Sequence, residues 1–181
     1  MNLIETFQDL VAQVPELVQP LIVALAGAIP FIEGEGAAAI GIVGGIHPVI
    51  AAIAAIIGNF LCVAILVIAS SGARQAIVTR RAQSRDAALA AGGTTTTTTT
   101  EADESERKTA RRQKFHSALN RYGVPGVSLL GPLLLPTQFT ATMLAATGVG
   151  KVRVLVWQAI AIIGWTTVIT LIITGALAAI L

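Results

Sequence analysis

The stretch Leu21-Ile-Val-Ala-Leu-Ala-Gly-Ala-Ile-Pro-Phe-Ile-Glu-Gly-Glu-Gly-Ala-Ala-Ala-Ile-Gly-Ile-Val-Gly-Gly-Ile46 decides the fold. It is apolar enough for a membrane but broken by Pro30, Gly34, Gly36, Gly41, Gly44 and Gly45, and Glu33 and Glu35 beside the break are the only charges between positions 17 and 70. A spanning helix needs about 20 apolar residues, and the pieces flanking Pro30 offer roughly 10 to 14 each. Neither half crosses alone, so the stretch reads as a re-entrant hairpin over 21–46.

The flanks fit that solvent. Of 181 residues, 54% are hydrophobic and 12% charged, and the charges are concentrated rather than scattered as on soluble surface helices. Before the hairpin, Leu3, Ile4, Phe7, Leu10, Val11 and Val14 recur at helical spacing, so 1–20 reads as an amphipathic helix at the membrane surface, ended by Pro15 and Pro20. No Lys or Arg precedes its first apolar stretch and no small-residue cleavage site follows, so it is not expected to be a secretory signal. After the hairpin, residues 48–70 form an uninterrupted transmembrane helix. Residues 71–115 form a linker with a partly helical basic base, a Gly-Gly pair, seven consecutive threonines and a mixed-charge end.

The second half, 116–181, repeats the plan. Residues 124–150 are apolar and broken by Pro125, Pro132, Pro136 and Gly148, and 152–181 form a second long span. A shift of 106 residues places Pro30 on Pro136, Ala39 on Ala145, Val43 on Val149, Gly44 on Gly150, and Ala55-Ile56-Ile57-Gly58 on Ala161-Ile162-Ile163-Gly164. This is the signature of an internal repeat. All twelve Lys and Arg residues fall in the linker or at Arg121, Lys151 and Arg153. The positive-inside rule then puts the linker in the cytoplasm and both termini outside, with the two repeats in opposite orientation. The expected fold is all-α integral membrane, two inverted repeats in the cell membrane, each a re-entrant hairpin followed by a long helix.

Three motifs, Gly27-Ala-Ile-Pro-Phe-Ile-Glu-Gly-Glu-Gly36, Ile57-Gly-Asn59 and Gly131-Pro-Leu-Leu-Leu-Pro-Thr-Gln138, resemble the small multidrug export family and, more distantly, the DedA/VTT membrane proteins. The resemblance covers nearly the whole chain outside the linker and the first helix. It implies two opposed re-entrant hairpins with acids near the first tip and, for the DedA-like relatives, movement of lipid carriers coupled to the proton gradient. Ala24-Leu25-Ala26 stands where many small multidrug export relatives carry Glu-Leu-Arg, and the arginines of the second DedA hairpin are missing between Pro132 and Gly150.

Glu33 and Glu35 are the sharpest chemical feature, since ionisable groups at membrane depth line cavities or ion paths. Paired carboxyls out of water can hold a proton near neutral pH. Residues two apart on a helix face different ways, but Gly34 and Gly36 permit a break where both reach one cavity. The plainer reading is that the acids complement the dipole of the helix opened by Pro30. Thr137, Gln138, Thr140 and Thr142 could meet a substrate or satisfy backbone freed by Pro136, and Asn59 could bond across to the other repeat. The breaks themselves are Pro30, Gly34, Gly36, Pro132 and Pro136.

His47 reads as interfacial, or as a proton relay. Trp157 and Trp165 read as packing or interface residues, with no second aromatic placed to build a cation cage. Cys62 is the only cysteine, which excludes a disulfide. No Ser-His-acid set, metal-ligand spacing or phosphate loop is present, so the chain reads as no enzyme and implies no cofactor or metal.

The leading expectation is a proton-coupled secondary transporter or flippase. Its expected partners are membrane lipids, protons, an amphipathic small molecule or lipid-carrier substrate and further copies in a homo-oligomer; nucleic acid is not expected. The alternative is a structural or scaffold membrane protein without transport activity, its threonine-rich loop recruiting a partner.

Overall fold

The computed structural model describes residue 6 and residues 14–90 and 105–180. Most of the amphipathic helix expected over 1–20, and the threonine run, lie outside the described residues. Among the described residues the chain is helical, with no strand.

Helix α1, Gln19–Gly27, takes Pro20 into its first turn, where a missing N–H breaks nothing. Pro20 therefore opens the hairpin rather than closing the helix before it. Pro30 prevents α1 from continuing, and the chain reverses through 29–33, where the Ile32 and Glu33 N–H groups donate to the Ile29 carbonyl. Helix α2, Glu33–Val43, follows. It ends at Gly44, and the Ile46 N–H returns to the Gly41 carbonyl at 2.9 Å, a closure that needs the positive φ of Gly45.

Helix α3 runs from Pro48 to Ala90. It passes Ser70, where the sequence reading ended the transmembrane helix, because residues 71–90 are rich in Ala, Arg and Gln, strong helix formers that need no apolar solvent. Helix α4, Ser105–Leu130, likewise begins inside the segment read as linker. It is broken at Gly123, whose φ of 67° and ψ of −172° only glycine adopts easily, and Pro125 sits in the first turn of the piece that follows. A 3-10 turn, Gly131–Leu133, leads to α5, Thr137–Ala146, and then to α6, Lys151–Ile180.

The long helices pack on one another at the centre. Their buried faces are i, i+4 stripes: Ala51, Ala55, Asn59, Val63 and Val67 on α3, and Val154, Gln158, Ile162, Thr166 and Thr170 on α6. Helices α1 and α2 lie against the first part of α3, and α2 also reaches α6, while α5 packs on both α3 and α6. Small residues allow the first of these packings. A Cβ on Gly58 would overlap the Ala24 backbone, and one on Gly27 would lie 2.7 Å from the Ala55 carbonyl oxygen, so α1 and α3 touch backbone to backbone.

Two helices are long and apolar enough to cross a membrane, Pro48–Gly72 and Lys151–Ala179, of 25 and 29 residues. The shorter would extend about 37 Å, against a hydrocarbon core of about 30 Å. Their outward faces carry Ile50, Ile53, Ile57, Leu61, Ile65 and Ile68 on α3, and Val156, Ile160, Ile163 and Leu171 on α6, all exposed. A row of large apolar side chains on the outside of both helices is not what water selects.

Candidate functional site

Pro136 caps α5 without a side-chain hydrogen bond, so the first N–H groups of α5 need an acceptor from elsewhere. Glu33 supplies it. One of its carboxylate oxygens accepts from the Thr137 backbone N–H and the other from the Thr137 hydroxyl at 2.7 Å. Glu33 is 6% exposed. An acid at the start of α2 thus serves the start of α5, favoured by the positive end of that helix dipole. The turn bringing it there is strained: Phe31 and Glu33 are the described non-glycine residues with positive φ, at 72° and 54°.

Beside this contact, Phe31 and Phe139 approach with ring centroids 6.4 Å apart and tilted 53°. Gln138 Nε2 donates to Asn59 Oδ1 at 3.3 Å, linking α5 to α3. Asn59 Nδ2, Gln138 Oε1, Thr140 Oγ1 and Thr166 Oγ1 are buried without a protein partner. Gly34 separates two of these: a Cβ there would run into Thr166 Oγ1 and lie 3.6 Å from Asn59 Nδ2. Its lack of a side chain lets α2 and α6 close over the polar cluster.

Next to the cluster is a cleft of about 470 Å³. Residues 31–33, 35 and 36 form one wall, residues 132–136 the other, and Trp165 and Ile169 come from α6. The two acids share this cleft but face different duties. Glu33 is engaged by Thr137, whereas Glu35 is half-buried on the cleft lining. Of the expected breaks, Pro30 forms the reversal ahead of this wall and Pro132 and Pro136 line the cleft, whereas Gly34 and Gly36 break nothing: both lie inside the continuous helix α2, where the lack of a side chain serves close packing.

The residues singled out in the sequence therefore divide. Glu33, Thr137, Gln138 and Asn59 meet in one buried polar cluster, and Glu35 lies at the cleft edge. Thr142 returns its hydroxyl to the Gln138 and Phe139 carbonyls on its own helix. His47 Nδ1 accepts the Val49 N–H at 3.3 Å, an N-terminal cap for α3. Trp157 packs against the apolar cluster around Val63 and Leu144. Trp165 donates to the Leu129 carbonyl at 2.9 Å and lines the cleft, as does Phe31.

Thr166 and Gln158 were not singled out in the sequence, although the signal was there: Gln158, Thr166 and Thr170 stand 4 or 8 residues apart in an otherwise apolar span, and all three are buried. Among the described residues no group of His, Cys, Asp and Glu could hold a metal ion. No protein-family model, no curated protein and no solved structure matches the chain, and the geometry of this cleft carries the functional reading.

Proposed function

We propose that the protein is a membrane-embedded secondary transporter or flippase, moving an amphipathic or lipid-like substrate through the cleft between two re-entrant hairpins in exchange for protons held at Glu33 and Glu35. The observation that carries this is a cleft bounded by both hairpins and α6, with two carboxyls on its wall, in a chain whose two long helices have apolar outer faces. Acids are kept at such depth when a cavity or ion path uses them.

An inverted repeat is supported by an exchange of contacts. The 106-residue shift carries Phe31 to Thr137 and Glu33 to Phe139. The hydrogen-bonded pair Glu33–Thr137 and the ring pair Phe31–Phe139 are then images of each other. This reciprocity is what a two-fold axis between the halves produces, and crossing at such an axis is how inverted-repeat transporters build their central site.

Reconstitution into vesicles with an imposed pH gradient and an amphipathic dye tests the reading. Gradient-driven dye movement is expected in the wild type, with loss in E35Q and in the double variant E33Q/E35Q at unchanged folding. Normal movement in the double variant would remove the acids from the mechanism. The scaffold reading is favoured by one observation, the capping of α5 by Glu33. It predicts that E35Q changes nothing.

A further inference from the structure

We propose that the cleft takes a monovalent organic cation with an apolar body and does not admit an anionic lipid carrier. This deepens the transport reading above and rests on it. Glu33 and Glu35 are the charged side chains on the lining, and among the described residues no Lys, Arg or His joins them there. On α6 the preceding basic residue, Arg153, lies twelve positions before Trp165. That is about 18 Å along the axis, too far for Arg153 to contact a ligand held beside Trp165.

A phosphate head entering the cleft would meet two carboxyls and no cation, so like-charge contact and desolvation both oppose it. An organic cation meets the reverse. Thr137 already occupies both oxygens of Glu33, so Glu35, the other carboxyl on the lining, is the anchor for the charge. The body of the ligand faces Phe31, Leu134 and Trp165. Phe31 is 81% exposed and Leu134 85%, apolar surface that a ligand would cover. Aromatic faces attract desolvated cations through the ring quadrupole. A volume of about 470 Å³ lies within the range for sites that enclose a drug-sized molecule.

Tetraphenylphosphonium and tetraphenylborate share a shape and differ in sign, so they isolate the charge. The full chain in lipid nanodiscs is titrated with each, against protein-free nanodiscs, by equilibrium dialysis and by tryptophan fluorescence. Saturable phosphonium binding is expected, weakened about tenfold or more by E35Q, a loss of about 1.4 kcal/mol, and largely kept by E35D. F31L, which removes a ring at constant apolarity, is expected to weaken it several-fold, and it serves as the second variant should E35Q fold poorly. Saturable borate binding, phosphonium binding unchanged in E35Q and F31L, or displacement of phosphonium by a polyprenyl phosphate would each overturn the proposal. No gradient is present in this experiment, so the two ideas fail separately. Phosphonium that binds but moves no faster than in protein-free vesicles under the same gradient removes transport and leaves the ligand class; gradient-driven movement of polyprenyl phosphate does the opposite.

Discussion

The Glu33 carboxylate caps a helix that begins 104 residues later, with one oxygen on the Thr137 N–H and the other on its hydroxyl. Removing the carboxyl strands two buried donors, and a stranded buried group costs about 1–3 kcal/mol. Glu33→Ala is therefore expected to lower stability by about 2–3 kcal/mol. Glu33→Gln keeps an acceptor for the N–H and an amide for the hydroxyl oxygen, and is expected to cost under about 1 kcal/mol. Unfolding of purified protein in mixed micelles measures both, and an Ala variant as stable as wild type would show that the cap carries no weight.

Gly58 and Gly164 occupy equivalent places in the two halves but different surroundings. The first faces the Ala24 backbone, and the second has nothing within 4 Å of a Cβ position. Gly58→Ala must push α1 off α3, an overpacking against backbone expected to cost about 3 kcal/mol. Gly164→Ala should be neutral or gain up to about 1 kcal/mol from helix propensity. Equal melting temperatures for the two variants would contradict the close crossing of α1 and α3.

Thr166 is buried with its hydroxyl unpartnered. Thr166→Val removes that hydroxyl at similar shape. If nothing bonds to it, stability should stay level or rise by about 1 kcal/mol. Stability that falls by a similar amount would mean that water or a ligand completes the cluster beside Gly34. The same melting experiment, repeated with and without tetraphenylphosphonium, distinguishes the two.

Orientation is tested by cysteine labelling in a Cys62→Ala background. Leu17 is 95% exposed, and the positive-inside rule expects it outside. An impermeant reagent on intact cells should modify a cysteine at Leu17 and spare one at Thr97 in the linker. The opposite pattern would invert the topology. Deleting residues 93–100 should leave expression and dye movement unchanged, because a threonine run supplies little packing.

Much of the helix layout was legible because Pro30, Pro136 and Gly45 fall at helix ends and the long apolar runs from Pro48 and Lys151 cannot be mistaken for loops. Pro20, Gly34 and Gly36 were less legible, since a proline also suits a first helical turn and a glycine also allows close packing inside a helix. The limit of α3 was not legible from polarity, since a helix that leaves an apolar solvent continues wherever Ala, Arg and Gln favour it. The polar cluster was half legible. Its members stand out singly as polar residues in apolar helices, but Glu33–Thr137 and Asn59–Gln138 are pairings across the halves, which no local pattern encodes. The plain reading of Glu33 as a dipole partner fits its own helix, whose first turn it occupies, but did not reach the start of α5, which the same carboxylate also caps.

The backbone contact between α1 and α3 gives the molecule an unequal mechanics. The first hairpin is keyed to its long helix at Gly27 and Gly58, where any sliding would drive carbonyls into backbone. The second half has no such key at Gly164, and its entry bends at Gly123. The close crossing fixes the first hairpin to its long helix, and the Glu33–Thr137 contact ties the same hairpin to α5 across the cleft.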